Sequence, residues 1–176
     1  NAEAYNRNRR SLLLCGPGSR LAGEAGLDGE ALARVDWERL DGMGARELEA
    51  LRKDEIVLEH GEAEIHGGAF DLVAERDIAG EIPVCICFNQ ELQITYGHGV
   101  VSMEFLNNTG SGRTIRKARL DGLQNVRILM DVSLMEVYFN DGELVMTSRY
   151  YPEDPMTTKV SVSGMEQVKG WTMAVQ

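Results

Sequence analysis

The stretch from Val126 to Tyr151, V-R-I-L-M-D-V-S-L-M-E-V-Y-F-N-D-G-E-L-V-M-T-S-R-Y-Y, decides the fold of this chain. Two apolar-rich runs flank Asn140-Asp141-Gly142, and Asn, Asp and Gly tolerate the positive φ values that a tight turn between strands requires. The residues alternate with a period of two: Met135, Val137 and Phe139 with Leu134, Glu136 and Tyr138, then Leu144, Met146 and Ser148 with Val145, Thr147 and Arg149. This period, together with many β-branched and aromatic residues, predicts a hairpin of two strands in a sheet.

The same pattern continues along most of the chain from Glu55 onward. It predicts strands near 55–60, 62–66, 69–76, 82–89, 91–96, 100–105, 113–120, 124–131, 134–140, 143–150, 157–163 and 167–175. Gly, Asn, Asp or Pro separates most of these runs, and no long internal repeat is visible. About a dozen short strands at regular spacing predict an all-β fold, a two-sheet antiparallel β-sandwich of the concanavalin A or lectin-like jelly-roll type.

The N-terminal part of the chain has a different pattern. Residues 1–27 predict an irregular arm, and its first two residues, Asn1-Ala2, are interpreted as a scar left by tag removal. Residues 28–53 predict a short helical linker, in which Asp28 caps one helix and Ala45 to Lys53 form a second amphipathic helix. Residues 54–176 are then the β-sandwich domain.

Composition limits the partners of the protein. The 176 residues carry a formal net charge of −10 and give a pI near 4.8. Such a surface repels phosphate backbones and anionic headgroups, so neither a nucleic acid nor a membrane surface is expected as a partner. No apolar run approaches the roughly 20 residues that span a bilayer. We expect a cytoplasmic protein, or a secreted one if the parent polypeptide carries a signal peptide.

The residues that most often bind metals are scattered in this sequence. His60, His66 and His98 do not form the three or four convergent ligands of a metal site, so we expect exposed histidines at strand ends and no metal site. Cys85 and Cys87 lie two apart on one predicted strand, face the same side and are expected to be buried free thiols. No cofactor is expected.

The hairpin and its flanks resemble a known family. The strand ending D-x-S-x-x-E-V, the turn N-D-G-E and the run V-x-T-S-R-Y-Y-P are similar to the closing sandwich of glycoside hydrolase family 32, which contains the invertases, sucrose-6-phosphate hydrolases and fructanases. Upstream, L-Q-I-T-Y-G-H-G-V-V-S-M-E-F and S-G-R-T-I-R-K-A-R-L resemble further strands of that domain. Arg46 to Arg52 resembles the E-L-x-x-L-R link between propeller and sandwich. Glu104-Phe105 stands where many members carry Asp-Arg.

The resemblance concerns the accessory half of these enzymes. It implies a catalytic five-bladed propeller elsewhere in the polypeptide, with an aspartate nucleophile in W-x-N-D-P, an aspartate in R-D-P and an acid/base glutamate in E-C. No cysteine in this chain follows a glutamate, and the only Asp-Pro, Asp154-Pro155, follows Glu153 in a Pro-bounded turn. Retaining glycosidases place two carboxyl groups about 5 Å apart. We therefore expect no catalytic residue in this chain and no activity from the chain alone.

The resemblance also selects a set of signature residues. They are Asp131, Ser133, Glu136, Asn140, Asp141, Gly142 and Arg149. We expect Asp131 and Ser133 to stabilise the bend between two strands through side-chain bonds to the backbone. Glu136 is expected to pair across strands with Arg149 or another basic residue. An interdomain role for these polar positions is the alternative.

Three functions remain open from the sequence. The first is a non-catalytic C-terminal sandwich that supports the propeller of a β-fructofuranosidase-type enzyme and assists oligomerisation. The second is a stand-alone carbohydrate-binding, lectin-like sandwich. The third is a structural or oligomerising sandwich. A sandwich separated from its propeller exposes an apolar face, so we expect the chain to form a homodimer or to cover that face with its own segment 28–53.

Overall fold

The computed structural model describes residues 49–76, 82–112 and 114–174. The chain divides into two units, Asn1–Leu51 and Arg52–Gln176. The described strands all belong to the second unit: β1 Arg52–Ile56, β2 Glu62–His66, β3 Ala69–Glu75, β4 Val84–Phe88, β5 Leu92–Gly97, β6 Val100–Phe105, β7 Ile115–Arg119, β8 Asn125–Asp131, β9 Leu134–Phe139, β10 Leu144–Arg149, β11 Thr157–Ser163 and β12 Gln167–Met173. The predicted arm 1–27 and most of the helical segment 28–53 lie outside the described residues.

The twelve strands form two antiparallel six-stranded sheets. The order is β1-β12-β3-β8-β9-β10 in the first sheet and β2-β11-β4-β5-β6-β7 in the second. This arrangement confirms the predicted all-β, two-sheet sandwich. None of the described residues forms a helix with the length and apolarity of a membrane span.

The core lies between the two sheets and follows the alternation of the sequence. In the hairpin Met135, Val137, Phe139 and Met146 are all buried, while Glu136 is half-buried on the outer face. Residue 139 pairs with residue 144 across the turn, so each inward side chain of β9 has an inward neighbour on β10. Complete burial of one such side chain contributes about 1.5–3 kcal/mol, which holds the register.

The first strand differs from its predicted position. A helix was predicted as far as Lys53 and a strand over 55–60, whereas β1 runs from Arg52 to Ile56. The guanidinium of Arg52 contacts the Asp71 carboxylate and stacks on Trp171, so tertiary contacts place this residue in the sheet. Such contacts outweigh a weak local preference for helix.

The sandwich has two ends, which we name by where the chain enters. The entry end of the first sheet is a row of paired or adjacent residues: Arg52, Met173, Ala69, Asp131, Leu134 and Arg149. The far end carries the Asn140–Gly142 turn and Ile82. The Gly67-Gly68 connection and the β10–β11 loop also lie at the entry end, because the Gly67 N–H donates to the Met156 carbonyl over 2.8 Å.

Candidate functional site

The structure separates the signature residues into three places. Asp131, Ser133 and Arg149 lie at the entry end, and Asn140–Gly142 lie at the far end. Glu136 lies midway along β9 on the outer face of the first sheet. These residues therefore do not form one site.

The entry-end turn between β8 and β9 has an uncommon backbone. Val132 and Ser133 connect the paired residues Asp131 and Leu134, and Val132 has φ +51° while Ser133 stays outside the positive-φ region. Positive φ at a loop residue is a conformation that glycine adopts most easily, and the Ser133 N–H donates to the Asp131 carbonyl across Val132. The Val132 N–H donates to the Gly68 carbonyl over 2.7 Å, which ties the turn to the β2–β3 connection.

The polar side chains near this turn bond differently from the prediction. The described bonds of the bend are formed by the backbone, including a 3.0 Å bond from the Tyr150 N–H to the Ser133 carbonyl. The Ser133 hydroxyl accepts a 3.2 Å bond from the Arg149 guanidinium. Glu136 lies opposite Thr147 rather than Arg149, and its carboxylate accepts a 2.9 Å bond from the Tyr138 hydroxyl.

The far-end turn is a structural element. Asn140, Asp141 and Gly142 all have positive φ, at +48°, +54° and +92°. The Asn140 carboxamide accepts a 2.8 Å bond from the Gln124 N–H and donates a 2.9 Å bond to the Gly122 carbonyl. The side chain therefore connects this hairpin to the loop before β8, and the prediction of a positive-φ turn is confirmed.

A buried carboxylate lies at the entry end of the second sheet. Glu91 is 5% exposed, and its Oε2 accepts a 2.7 Å bond from the hydroxyl of the fully buried Tyr150. Its Oε1 accepts a 3.1 Å bond from the Glu153 N–H. The Asn89 carboxamide donates a 3.1 Å bond to the Tyr150 hydroxyl and accepts a 2.7 Å bond from the Lys159 N–H. This Glu91 network connects the β4–β5 turn to the β10–β11 loop.

Burial of the Tyr150 phenol raises its pKa well above the ordinary tyrosine value, and the hydrogen bond and negative charge of Glu91 raise it further. Ionisation would place a second negative charge beside the carboxylate, away from water. Tyr150 therefore remains a proton donor to Glu91.

A second buried carboxylate lies in the first sheet. Asp71 is fully buried and accepts bonds of 3.0 and 2.8 Å from the Arg127 guanidinium. Its Oδ2 also lies 2.7 Å from the Arg52 guanidinium, which stacks on Trp171 with 3.8 Å between the guanidinium carbon and the ring centroid. The Asp71 cluster joins β1, β3, β8 and β12, so it attaches the first strand to the rest of the sheet.

An open cleft of about 970 Å³ lies over β2, β11 and the β4–β5 turn. Its described lining includes carboxylates at Glu62, Glu64 and Asp154 but no Phe, Tyr or Trp side chain. Rings suited to stacking on a sugar are therefore lacking there, and the carbohydrate-binding alternative is not favoured. Nowhere in the described ranges do three or more His, Cys, Asp or Glu side chains form a group suited to a metal ion.

The histidines and cysteines have simple environments. His60, His66 and His98 are exposed, as predicted. Cys85 and Cys87 share the outer face of β4, as their spacing predicted, but both are half-buried, so the expectation of buried thiols was wrong. Burial raises the pKa of Cys85, with a further rise from the neighbouring Cys87.

Sequence reasoning missed the two buried carboxylates. Glu91 follows a turn, a position typical of a surface residue, and its hydrogen-bond partner Tyr150 is 59 residues away in the sequence. Asp71 lies in the run Ala69-Phe70-Asp71-Leu72, where a charged residue on an apolar strand was the available signal. An acid in such a run needs a buried cationic partner, and the sequence alone does not identify it.

Comparison with known proteins shows which domain this sandwich resembles. Residues 102–173 match the family model described as glycosyl hydrolases family 32 C terminal. The chain is 29% identical over 134 residues to a sucrose-6-phosphate hydrolase of Vibrio alginolyticus, covering 70% of this chain and 26% of that protein. It is 26% identical over 117 residues to the Bacillus subtilis (strain 168) sucrose-6-phosphate hydrolase, covering 60% of this chain and 24% of that protein.

A solved structure shows the same fold. The glycoside hydrolase family 32 structure from Bifidobacterium adolescentis superimposes with a TM-score of 0.59 at 12% identity, over 72% of this chain and 22% of that one. The chain thus spans about a quarter of the length of the curated relatives it matches. The β-sandwich of this chain is therefore similar to the C-terminal domain of glycoside hydrolase family 32, in sequence over residues 102–173 and in its fold.

Proposed function

We propose that this chain is the accessory, non-catalytic domain of a family 32 enzyme that cleaves β-fructofuranosyl bonds in sucrose, sucrose-6-phosphate or a fructan. Two curated relatives carry the name sucrose-6-phosphate hydrolase, and the chain matches only about a quarter of either. The remaining length of such an enzyme is where the catalytic propeller belongs. The domain would stabilise that propeller and assist oligomerisation.

The hydrogen bonds of two buried carboxylates support the proposal that this domain is not catalytic. Asp71 accepts hydrogen bonds on both oxygens from two arginines, and Glu91 accepts them on both oxygens from Tyr150 and the Glu153 N–H. A general acid or a nucleophile must reach the sugar within hydrogen-bond distance. Carboxylates that are buried and hydrogen-bonded to other groups of the protein stabilise the fold and do not contact a sugar.

The first experiment measures fructose release by the purified 176-residue chain. With sucrose, sucrose-6-phosphate, inulin or levan, release should not exceed that of a tag-only control. Turnover that Glu91→Gln or Asp71→Asn abolishes, in a variant that still folds, would contradict the non-catalytic assignment.

The second experiment examines the complete coding sequence. The proposal expects W-x-N-D-P, R-D-P and E-C motifs upstream of the sandwich. Deleting the sandwich from the complete polypeptide should lower the thermal midpoint of the catalytic module. A complete polypeptide without these motifs, or a module indifferent to the deletion, would argue against the accessory role.

A further inference from the structure

Cys85 and Cys87 form a pair of thiols that the proposed function does not use. Both lie on β4, where the side chains of Val84, Ile86 and Phe88 are buried in the core and the two cysteines between them are half-buried on the outer face. A cysteine that serves only as a small apolar core residue is normally buried. Two free, partly accessible thiols on one side of one strand are therefore a candidate site for a ligand that binds sulfur.

The geometry of the strand prevents these two thiols from forming a disulfide with each other. Residues two apart on an extended strand are separated by roughly 6.8 Å, because the rise is about 3.4 Å per residue. A disulfide requires Cβ atoms that are only about 3.5–4.5 Å apart. β4 is hydrogen-bonded on both sides, with Cys85 opposite Thr95 of β5 and Ser163 of β11. The strand therefore cannot contract without losing hydrogen bonds of the sheet.

A metal ion between the two sulfurs suits the same spacing. The ion replaces an S–S bond of about 2 Å by two metal–sulfur bonds of about 2.3 Å, which lengthens the span between the Cβ atoms to roughly 6–7 Å. The pair can thus hold one ion while the strand stays extended. When both sulfurs bind one monovalent cation, two thiol protons are released and the site carries a net charge of −1.

The neighbouring side chains indicate which ion fits. The four residues opposite the cysteines on β5 and β11 all carry neutral oxygen-bearing groups: Gln93, Thr95, Ser161 and Ser163. The Ser163 hydroxyl already donates a 3.3 Å bond to the Cys85 carbonyl. Within the described residues no third His, Cys, Asp or Glu completes the pair. Structural Zn²⁺ requires four ligands, whereas soft thiolates select Cu(I), which two of them satisfy.

The open cleft over β2 and β11 gives solvent access to the pair. Cys87 and Ser161 form part of its lining, together with the carboxylates of Glu62 and Glu64. Glu62 lies opposite Ser161 in the ladder between β2 and β11. Carboxylates along a cleft attract cations from solution and raise their rate of capture. A small cation can therefore reach the sulfur of Cys87 from this side.

We propose that Cys85 and Cys87 form a two-coordinate site for a soft monovalent cation, Cu(I), on the outer face of the second sheet. Each sulfur supplies one ligand, and the extended backbone of β4 sets the separation between them. The site is independent of the proposed role in fructosyl hydrolysis, so neither proposal fails with the other.

Anaerobic titration with Cu(I), in competition with a chromogenic Cu(I) chelator and with ascorbate as reductant, tests the site. The protein is the Cys15→Ser chain, because Cys15 is the third thiol of the sequence. This protein should take one Cu(I) per chain from the chelator, and X-ray absorption should show two sulfur neighbours and no nitrogen around the metal. No uptake, or a nitrogen or third sulfur neighbour, would overturn the proposal.

The variants Cys85→Ser and Cys87→Ser, each in the Cys15→Ser chain, remove one ligand at a time. Each should weaken Cu(I) binding at least about 100-fold, because even the loss of a group that only orients a metal ligand costs about 10–100-fold. Ser161→Ala is the matched control, since it removes the hydroxyl opposite Cys87 and keeps both thiols. Its affinity should be unchanged. Unaltered affinity in either cysteine variant, folded by circular dichroism, would contradict the site.

Two further measurements exclude other uses of these thiols. Sedimentation of the Cys15→Ser chain should give the same oligomeric state with and without Cu(I), whereas a copper-dependent dimer would mean that two copies share the metal and that the proposal is wrong. Mass spectrometry after treatment with oxidised glutathione should find no disulfide between Cys85 and Cys87. Such a disulfide would show that the sulfurs approach too closely for the proposed geometry, and it would overturn the site.

Discussion

The Tyr150 hydroxyl donates a 2.7 Å hydrogen bond to Oε2 of Glu91, across 59 residues of sequence. The Tyr150 ring packs beside Phe105, with 6.4 Å between ring centroids, while its hydroxyl donates to the buried carboxylate oxygen. The residue thus joins the core to the entry-end loops.

The first prediction concerns this bond. Tyr150→Phe leaves Oε2 of Glu91 without its donor, and a buried group that loses its partner costs about 1–3 kcal/mol of unfolding free energy. Tyr151→Phe is the matched control, because the neighbouring ring is 49% exposed and its hydroxyl can bond water. Urea denaturation of both variants at neutral pH checks this expectation, and equal midpoints would contradict it.

The second prediction is the alkaline limit of stability. Because the Tyr150 pKa is raised in the folded protein, the contribution of its protonated form is complete below the unfolded pKa of about 10 and is lost as the pH rises beyond it. The unfolding free energy should fall above that pH. Tyr150→Phe should show a shallower decline, measured by urea titrations at a series of alkaline pH values. Parallel curves for the two proteins would refute this assignment.

The third prediction tests the Asp71 cluster. Arg127→Met removes two of the bonds to a fully buried carboxylate, while Arg52 still compensates part of its charge. Both arginines are about a fifth to a quarter exposed, so solvent screening limits the loss to about 1–3 kcal/mol. Arg119→Met, on the exposed face of β7, should change the denaturation midpoint little. A larger shift of the midpoint in Arg119→Met than in Arg127→Met would contradict a stabilising role for the Asp71 cluster.

The fourth prediction tests the far-end turn. Gly142 has φ +92°, so Gly142→Val must adopt a conformation that costs about 1–3 kcal/mol for a branched side chain. Gly97→Ala is the control, because Gly97 lies outside the positive-φ region and nothing lies within 4 Å of its added Cβ. Thermal unfolding of the two variants decides the matter, and a stable Gly142→Val protein would show that the turn can rearrange.

The fifth prediction concerns Glu136. Its carboxylate is half-buried and accepts one bond from Tyr138, so Glu136→Gln should cost no more than about 0.2–1 kcal/mol, the range of cross-strand side-chain contacts. Gly142→Val should therefore be the more damaging change when denaturation midpoints are compared side by side. The reverse order would mean that Glu136 holds a buried polar site.

Local sequence was sufficient for the strands. The alternation around Val137 and Met146 predicted which side of each strand faces the core, because side chains in a strand point alternately to its two faces. The Asn140-Asp141-Gly142 turn was equally predictable, since those residue types tolerate positive φ. A dozen short strands, each with apolar residues at every second position, are typical of a two-sheet sandwich.

Only the tertiary structure decided which distant residues meet. The pairs Asp71–Arg127 and Glu91–Tyr150 are separated by 56 and 59 residues, and strand order rather than periodicity brings them together. The position of β1 and the positive φ of Val132 likewise depend on contacts from other elements. A period of two specifies the face on which a side chain lies, whereas its neighbours on that face are set by the pairing of the strands.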